Sequence, residues 1–186
     1  MYTAIPPWDI GRPQPVFLAL AEAGAMEGSV LDAGCGTGEH VLMAAARGLD
    51  ATGIDASSRA IAIAQQKATD RGLNARFVVW DAFRLAELQE QFDTVLDSGL
   101  FHVFDDDSRQ RYVEQLAIVV RPGGRYLMCC FSDRQPGDWG PRRVRQDEIH
   151  AAFGEGWRIE SIVAAQFEIN LDPPVAQAWL STITRL

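Results

Sequence analysis

The chain has 186 residues, with 17 Lys and Arg against 25 Asp and Glu, and a formal net charge of −8. That length suits one domain with a sizeable core, and the acidic balance argues against a protein that binds nucleic acid by neutralising phosphates. No apolar run approaches the roughly 18 to 20 residues that span a bilayer, and the opening MYTAIPPWDIG lacks the basic start and apolar centre of a secretory signal. A cytoplasmic protein with no membrane partner is expected.

In chain order, QPVFLALAEAG (14–24) predicts a helix stopped by Gly24, and SVLDA (29–33) a short buried strand. A helix over 39–47 ends before Gly48, and DATGID (50–55) gives a second strand. Ser57 or Ser58 caps a helix to Arg71, with Ala60, Ile61, Ala64 and Ala68 at helical spacing. Strands follow at 75–81 and 92–99. Asp107 or Ser108 starts a helix through Val120, and Pro122-Gly123-Gly124 turns into a strand over 125–131. The stretch SDRQPGDWGPRRVR (132–145) has no periodicity and reads as a functional or packing loop. A helix over 146–153 and strands over 157–169 and 175–184 complete the chain. Strands alternating with helices through short connections imply a parallel sheet with helices on both faces. The chain reads as one domain, 1–186: a leading segment and first helix (1–27), a core (28–131), and a loop with terminal strands (132–186).

Three cysteines do not make a disulfide framework, and three scattered histidines offer no metal-ligand spacing, so no metal is expected. Cys129 and Cys130, adjacent on a strand, would point to opposite faces as small buried hydrophobes.

The strongest chemical signal is VLDAGCGTG (30–38), a buried strand running into a glycine-rich turn and a helix. Glycines there let the backbone approach a ligand at the carboxyl end of the strand. The spacing is G-x-G-x-G, whereas dinucleotide sites use G-x-G-x-x-G. Asp55, at the end of the second strand, can accept from two ribose hydroxyls. Asp81, at the end of the third, can accept from an exocyclic amine of adenine. Both acids would repel phosphate, so the site suits a nucleoside without phosphates.

VLDAGCGTG, GID (53–55), WDAF (80–83), FDTVLDSGLFHVF (92–104) and VRPGGRYLM (120–128) together resemble the successive motifs of class I S-adenosylmethionine-dependent methyltransferases. The resemblance covers roughly residues 28 to 131. It implies a Rossmann-like seven-stranded sheet, mostly parallel, with the last strand antiparallel and inserted beside the fifth. By position it implies that Gly34, with Cys35, Gly36, Thr37 and Gly38, holds the methionine part, and that Asp32 acts on its ammonium. Asp55, followed by Ala56, would hold the ribose, Asp81 and the Ala82 amide the adenine, and Asp97 would lie near the sulfonium and the acceptor. An Asp after a strand can also be only a helix cap, and a Gly only a turn.

PWDIGRPQP (7–15) resembles a segment of the thiol, halide and thiopurine methyltransferases, in which the tryptophan, here Trp8, lies against the cofactor. Residues 128–145 are closer still to mycobacterial heterocyclic-toxin methyltransferases, which O-methylate hydroxyquinolone-type compounds. Members usually carry more chain before this segment. Six residues precede Pro7 here, so either a more open site or a shortened chain is expected.

The resemblance implies a small aromatic acceptor and detoxifying O-methylation. His102, five residues after Asp97, is the candidate general base. It equally suits mere packing, and Tyr112 and His150 read as exposed helix residues. Phe101 and Trp139 can stack on a flat substrate or belong to the core. Arg142 and Arg143 can attract an anionic acceptor, but also read as a solvated pair. The alternatives are thiol or halide transfer, which needs no base, a nicotinamide-dependent oxidoreductase, and a protein that only binds the cofactor. A monomer is expected, since no coiled-coil pattern is present.

Overall fold

The computed structural model describes residues 6–186. It has seven strands: β1 (Ser29–Ala33), β2 (Asp50–Asp55), β3 (Arg76–Val79), β4 (Phe92–Ser98), β5 (Val120–Phe131), β6 (Trp157–Glu168) and β7 (Val175–Arg185). The helices are α1 (Pro15–Glu22), α2 (Glu39–Ala46), α3 (Ser58–Arg71), α4 (Asp106–Val119) and α5 (Gln146–Ala152). All seven strands form one sheet, in the order β3-β2-β1-β4-β5-β7-β6. β1 runs parallel to β2 and β4, whereas β7 is antiparallel to both β5 and β6. The chain therefore winds outward in one direction from β1 and in the other from β4, which opens a crevice at their carboxyl ends.

Strand alternation divides the core into two layers. Val30, Leu96, Leu127 and Cys129 pack with Phe17 of α1, Val41 of α2 and Ile61 of α3. Leu31, Val95, Tyr126 and Cys130 pack with Tyr112 and Leu116 of α4 and Ile149 of α5. Adjacent Cys129 and Cys130 thus do lie in opposite layers.

Local chemistry sets the boundaries. Pro15 opens α1, where a missing amide hydrogen costs nothing. Ser57 accepts from the Ala60 amide to cap α3, and Gly72 closes that helix in the left-handed region. α4 begins before Asp107 because Asp105 accepts from the Ser108 amide. β3 stops at Val79 rather than 81, because Asp81 caps a 3-10 segment over Ala82–Leu88. β5 begins at Val120, opposite Phe92, and resumes at Arg125, opposite Thr94, so the Pro-Gly-Gly turn bulges out within the strand.

α2 is held unusually tightly. Buried Glu39 accepts from Lys67 at 2.8 Å and from both Arg71 nitrogens at 2.9 Å, which ties α2 to α3. Burial alone would raise the Glu39 carboxyl, but these bonds outweigh it and hold it below its usual range. Gly38 starts α2 at φ +88°, and a Cβ there would fall 2.8 Å from both Ala64 Cβ and Phe77 Cε1. Gly38→Ala therefore combines backbone strain with a clash in a packed layer, and we expect a loss of about 2–4 kcal/mol. Urea unfolding of the variant would measure it, and an unchanged midpoint would contradict this account.

Candidate active site

The crevice between β1 and β4 is built around the glycine turn. Cys35 N–H donates to the Ile54 carbonyl at 2.8 Å, so the turn is pinned over the end of β2. Asp55 then braces it, accepting from Gly36 N at 3.0 Å and from Ser57 N at 2.8 Å. Burial raises the Asp55 carboxyl, and nearby Asp32 adds to the rise. Each Asp55 oxygen keeps a second lone pair for a ligand. Gly34 (φ +74°) leaves its Cα facing Leu100, where a Cβ would come within 3.3 Å. Ala56 and Asp81 are exposed beside this turn, with Ala82 partly covered, and one Asp81 oxygen accepts from Phe83 N at 2.9 Å.

Asp32 is 1% exposed and, among the described residues, neither of its oxygens has a hydrogen-bond partner. A buried carboxylate left so is strongly destabilising unless a cation or donor meets it. Nearest is His40, whose Nδ1 lies 3.6 Å from Asp32 Oδ2, beyond hydrogen-bond reach. His40 was not among the sequence candidates. The available signal was the polar pair Glu39-His40 opening an otherwise apolar helix, EHVLMAAA.

The leading segment straps the turn. Thr37 Oγ1 donates to Asp9 at 2.9 Å and accepts from Lys67 at 2.8 Å, while Asn170 N donates to the Pro7 carbonyl at 2.7 Å. Trp8, between these anchors, is 45% exposed.

Asp97 departs from the sequence expectation of a group beside the sulfonium. It is fully buried in the layer of α4, and accepts from Leu100 N at 2.8 Å, Phe101 N at 3.1 Å, Tyr126 Oη at 2.7 Å and Tyr112 Oη at 3.2 Å. It organises the turn after β4. Tyr112, read as exposed, is buried as part of this network, whereas His150 is exposed. Burial raises the Asp97 carboxyl from 3.8 to about 6, against the pull of its four donors.

Phe101 is also corrected. It is fully buried, with the Arg109 guanidinium 4.8 Å from its ring centre, so it is core and not a substrate platform. His102 is 5% exposed, and its Nδ1 accepts from Phe131 N at 2.9 Å. Burial, with Arg109 and Arg143 adding, lowers its pKa to about 3. The ring is neutral, its proton is on Nε2, and the lone pair a base would need is taken. The expectation of a general base fails on this geometry.

His102 instead belongs to an aromatic cluster. Its ring centre lies 5.0 Å from Phe131 and 6.2 Å from Phe167, and Phe131 lies 5.8 Å from Trp139. Phe131 and Phe167, missed by sequence reasoning, sit at the carboxyl ends of β5 and β6. Arg143 closes the cluster over the rings of Phe131 and Trp139 at 5.5 and 5.6 Å. It is no solvated pair with Arg142: it donates to the carbonyls of Gln135, Pro136, Gly137, Trp139 and Pro141. Arg142 meets Asp106 and Glu148.

Residues 30–124 match the family model described as "Methyltransferase domain". The chain belongs to this methyltransferase family. It is 37% identical to the 2-heptyl-1-hydroxyquinolin-4(1H)-one methyltransferase of Mycobacteroides abscessus, over 91% of this chain and 76% of that protein. It is 30% identical to the probable thiol methyltransferase 2 of Arabidopsis thaliana, over 76% of this chain and 64% of that protein. A structure solved in work on the conversion of a disulfide bond into a thioacetal group during echinomycin biosynthesis has a TM-score of 0.88 at 39% identity. That match covers 97% of this chain and 84% of the other. The chain is thus an S-adenosylmethionine-dependent methyltransferase. The site fits that cofactor: an unpaired buried carboxylate and a second acid beside it suit a ligand carrying an ammonium and a sulfonium, and the glycine turn leaves room for close approach.

Among the described residues, no helix of this methyltransferase is long and apolar enough to cross a membrane. The Asp97 network makes a testable claim about stability. Since the folded Asp97 carboxyl titrates near 6, above its ordinary 3.8, its ionisation opposes folding between about pH 4 and 6. Tyr126→Phe removes a bond that chiefly serves the ionised form. We expect a loss of about 2 kcal/mol at pH 8 and a smaller one at pH 5. Urea titrations at the two pH values check this, and equal losses would contradict it.

Proposed function

We propose that this methyltransferase O-methylates a small aromatic heterocycle with an acidic hydroxyl, of the hydroxyquinolone type, as a detoxifying reaction in the cytoplasm. It would act as a monomer on a free small molecule. The observation that carries the reading is the aromatic cluster of His102, Phe131, Phe167 and Trp139 by the carboxyl ends of β4, β5 and β6, with Arg143 above it. Trp139 is the exposed member of this cluster, and its ring, backed by buried His102, Phe131 and Phe167, suits a flat acceptor. The relationship to the M. abscessus enzyme supports the same substrate class.

S-adenosylmethionine, when bound, supplies an activated methyl group on a positively charged sulfur. In our reading Asp32 meets its ammonium, Asp55 its ribose hydroxyls, and Asp81 with the Ala82 amide its adenine. The protein's further work is to hold the acceptor oxygen in line with the methyl group and to exclude water. No free base faces the aromatic cluster in this account. His102 is neutral and buried, with its lone pair engaged by the Phe131 amide, so it takes no proton from an acceptor. The acceptor arrives already ionised, and the positive charge of Arg143 favours the anion. Transfer then cancels charge between anion and sulfonium, a step that a low-dielectric pocket assists.

A second reading, methylation of sulfur, is favoured by the same lack of a base, since a thiolate needs none. The thiol methyltransferase relative and the structure linked to thioacetal formation support it.

Methyl transfer to a hydroxyquinolone, a phenol, an aryl thiol and iodide, with products identified by mass, separates the two. Turnover of the hydroxyquinolone is expected, and turnover of the thiol alone would replace the first reading with the second. The rate should rise with the acceptor's own ionisation and then level. His102→Asn places an amide oxygen where Nδ1 accepts from Phe131, and should keep kcat within about threefold. A general base contributes about 10²–10⁴-fold, so a hundredfold loss confined to acceptors that must lose a proton would restore His102 as the base.

A further inference from the structure

We propose that His40 is a positioning residue that aims the Asp32 carboxylate at the cofactor's ammonium and couples that contact to the strapped leading segment. This rests on the reading that Asp32 meets the ammonium.

The His40 ring is fixed at one nitrogen and faces Asp32 with the other. Nε2 accepts from the Gln14 amide at 3.1 Å, so in the neutral ring the proton belongs on Nδ1. Nδ1–H then points toward Asp32, 3.6 Å from Oδ2. A charged ring would set a second N–H against the Gln14 amide, so this contact selects the neutral tautomer. The ring is held in place by Phe17, edge-on at 4.8 Å. Gln14 is fixed in turn. Its side chain donates to the Glu168 carbonyl at 2.9 Å and accepts from the Glu168 amide at 2.8 Å, which clamps it to the end of β6.

Among the described residues, His40 is therefore the imidazole that faces an otherwise unpartnered buried carboxylate. It is too distant to satisfy Asp32, yet oriented to close on it by a few tenths of an ångström. A neutral donor in that position orients the carboxylate without neutralising it, and leaves its charge for a cationic ligand. Asp32, His40, Gln14 and Glu168 form a chain from the ammonium site to the end of β6.

The test compares S-adenosylhomocysteine with 5′-methylthioadenosine, which lacks the amino-acid part, by calorimetric titration of the full chain. His40→Gln carries its amide one bond farther out, keeping the acceptor for Gln14 and withdrawing the donor from Asp32. His40→Asn keeps a donor where Nδ1 stood. We expect His40→Gln to bind S-adenosylhomocysteine about tenfold more weakly, with 5′-methylthioadenosine within twofold of wild type, and His40→Asn to lose less than threefold on either. Asp32→Asn should also lose S-adenosylhomocysteine selectively.

If Asp32→Asn is selective but His40→Gln binds as wild type, the His40 inference falls and the ammonium site stands. If His40→Gln weakens both ligands equally, or His40→Asn is as weak as His40→Gln, the imidazole only packs and the inference is overturned. If Asp32→Asn leaves S-adenosylhomocysteine unchanged, the ammonium site itself falls, and the inference with it.

Discussion

Asp32 lies one residue before the end of β1, a buried carboxylate that no donor among the described residues satisfies. Desolvation of a carboxylate is among the largest unfavourable contributions a small domain carries, so its surroundings must supply the balance in some state of the protein. The second acid at the end of β2 adds to the negative potential of this crevice, and the neutral imidazole beside Asp32 leaves that charge uncancelled. Folding alone gains nothing from that arrangement. Ligand binding does, because a cation entering the crevice replaces a missing interaction rather than competing with one already made.

Asp32 and Asp97 show how the pleat separates two roles. Asp32 is level with Leu96 across the β1–β4 ladder, so Asp97 lies one residue farther on. One residue along a strand reverses the side chain's direction. Asp32 therefore faces the layer of α1–α3 and the glycine turn, while Asp97 faces α4 and receives two tyrosine hydroxyls and two amides. One carboxylate is left open to a ligand. The other is saturated by the protein, and the turn it holds carries half-buried Gly99 and Leu100 and buried His102.

Much of this was legible in the sequence, and the reasons are physical. The strand–turn–helix run at 29–46 is local, and so were the caps and the alternation of strands with helices. The insertion of β7 beside β5 came from the family resemblance, since no spacing in the chain specifies it. The misreadings share a cause. Phe101, His102, Tyr112 and Arg143 were judged from their neighbours in sequence, yet their roles are set by Arg109, by the Phe131 amide, by Asp97 on the sheet face under α4 and by carbonyls around a loop. A side chain's direction off a short 3-10 turn, and which imidazole nitrogen is engaged, depend on partners up to 29 residues away. Asp97 was a fair expectation by position and failed only on the pleat.

Residues 132–145 are held largely through main-chain atoms. Arg143 gathers five carbonyls of this loop, and Val144 at its base accepts from the Trp179 indole and the Asp133 amide through its own carbonyl. Carbonyl oxygens are the same whatever side chain the residue bears. The loop's path thus rests mainly on the main chain, with the Trp139 and Arg134 contacts to Phe131 and Trp179 added to it. Such a segment can exchange its outward side chains through evolution without unfolding. A methyltransferase built this way can acquire new acceptors by drift in one short stretch while its cofactor cradle stays untouched.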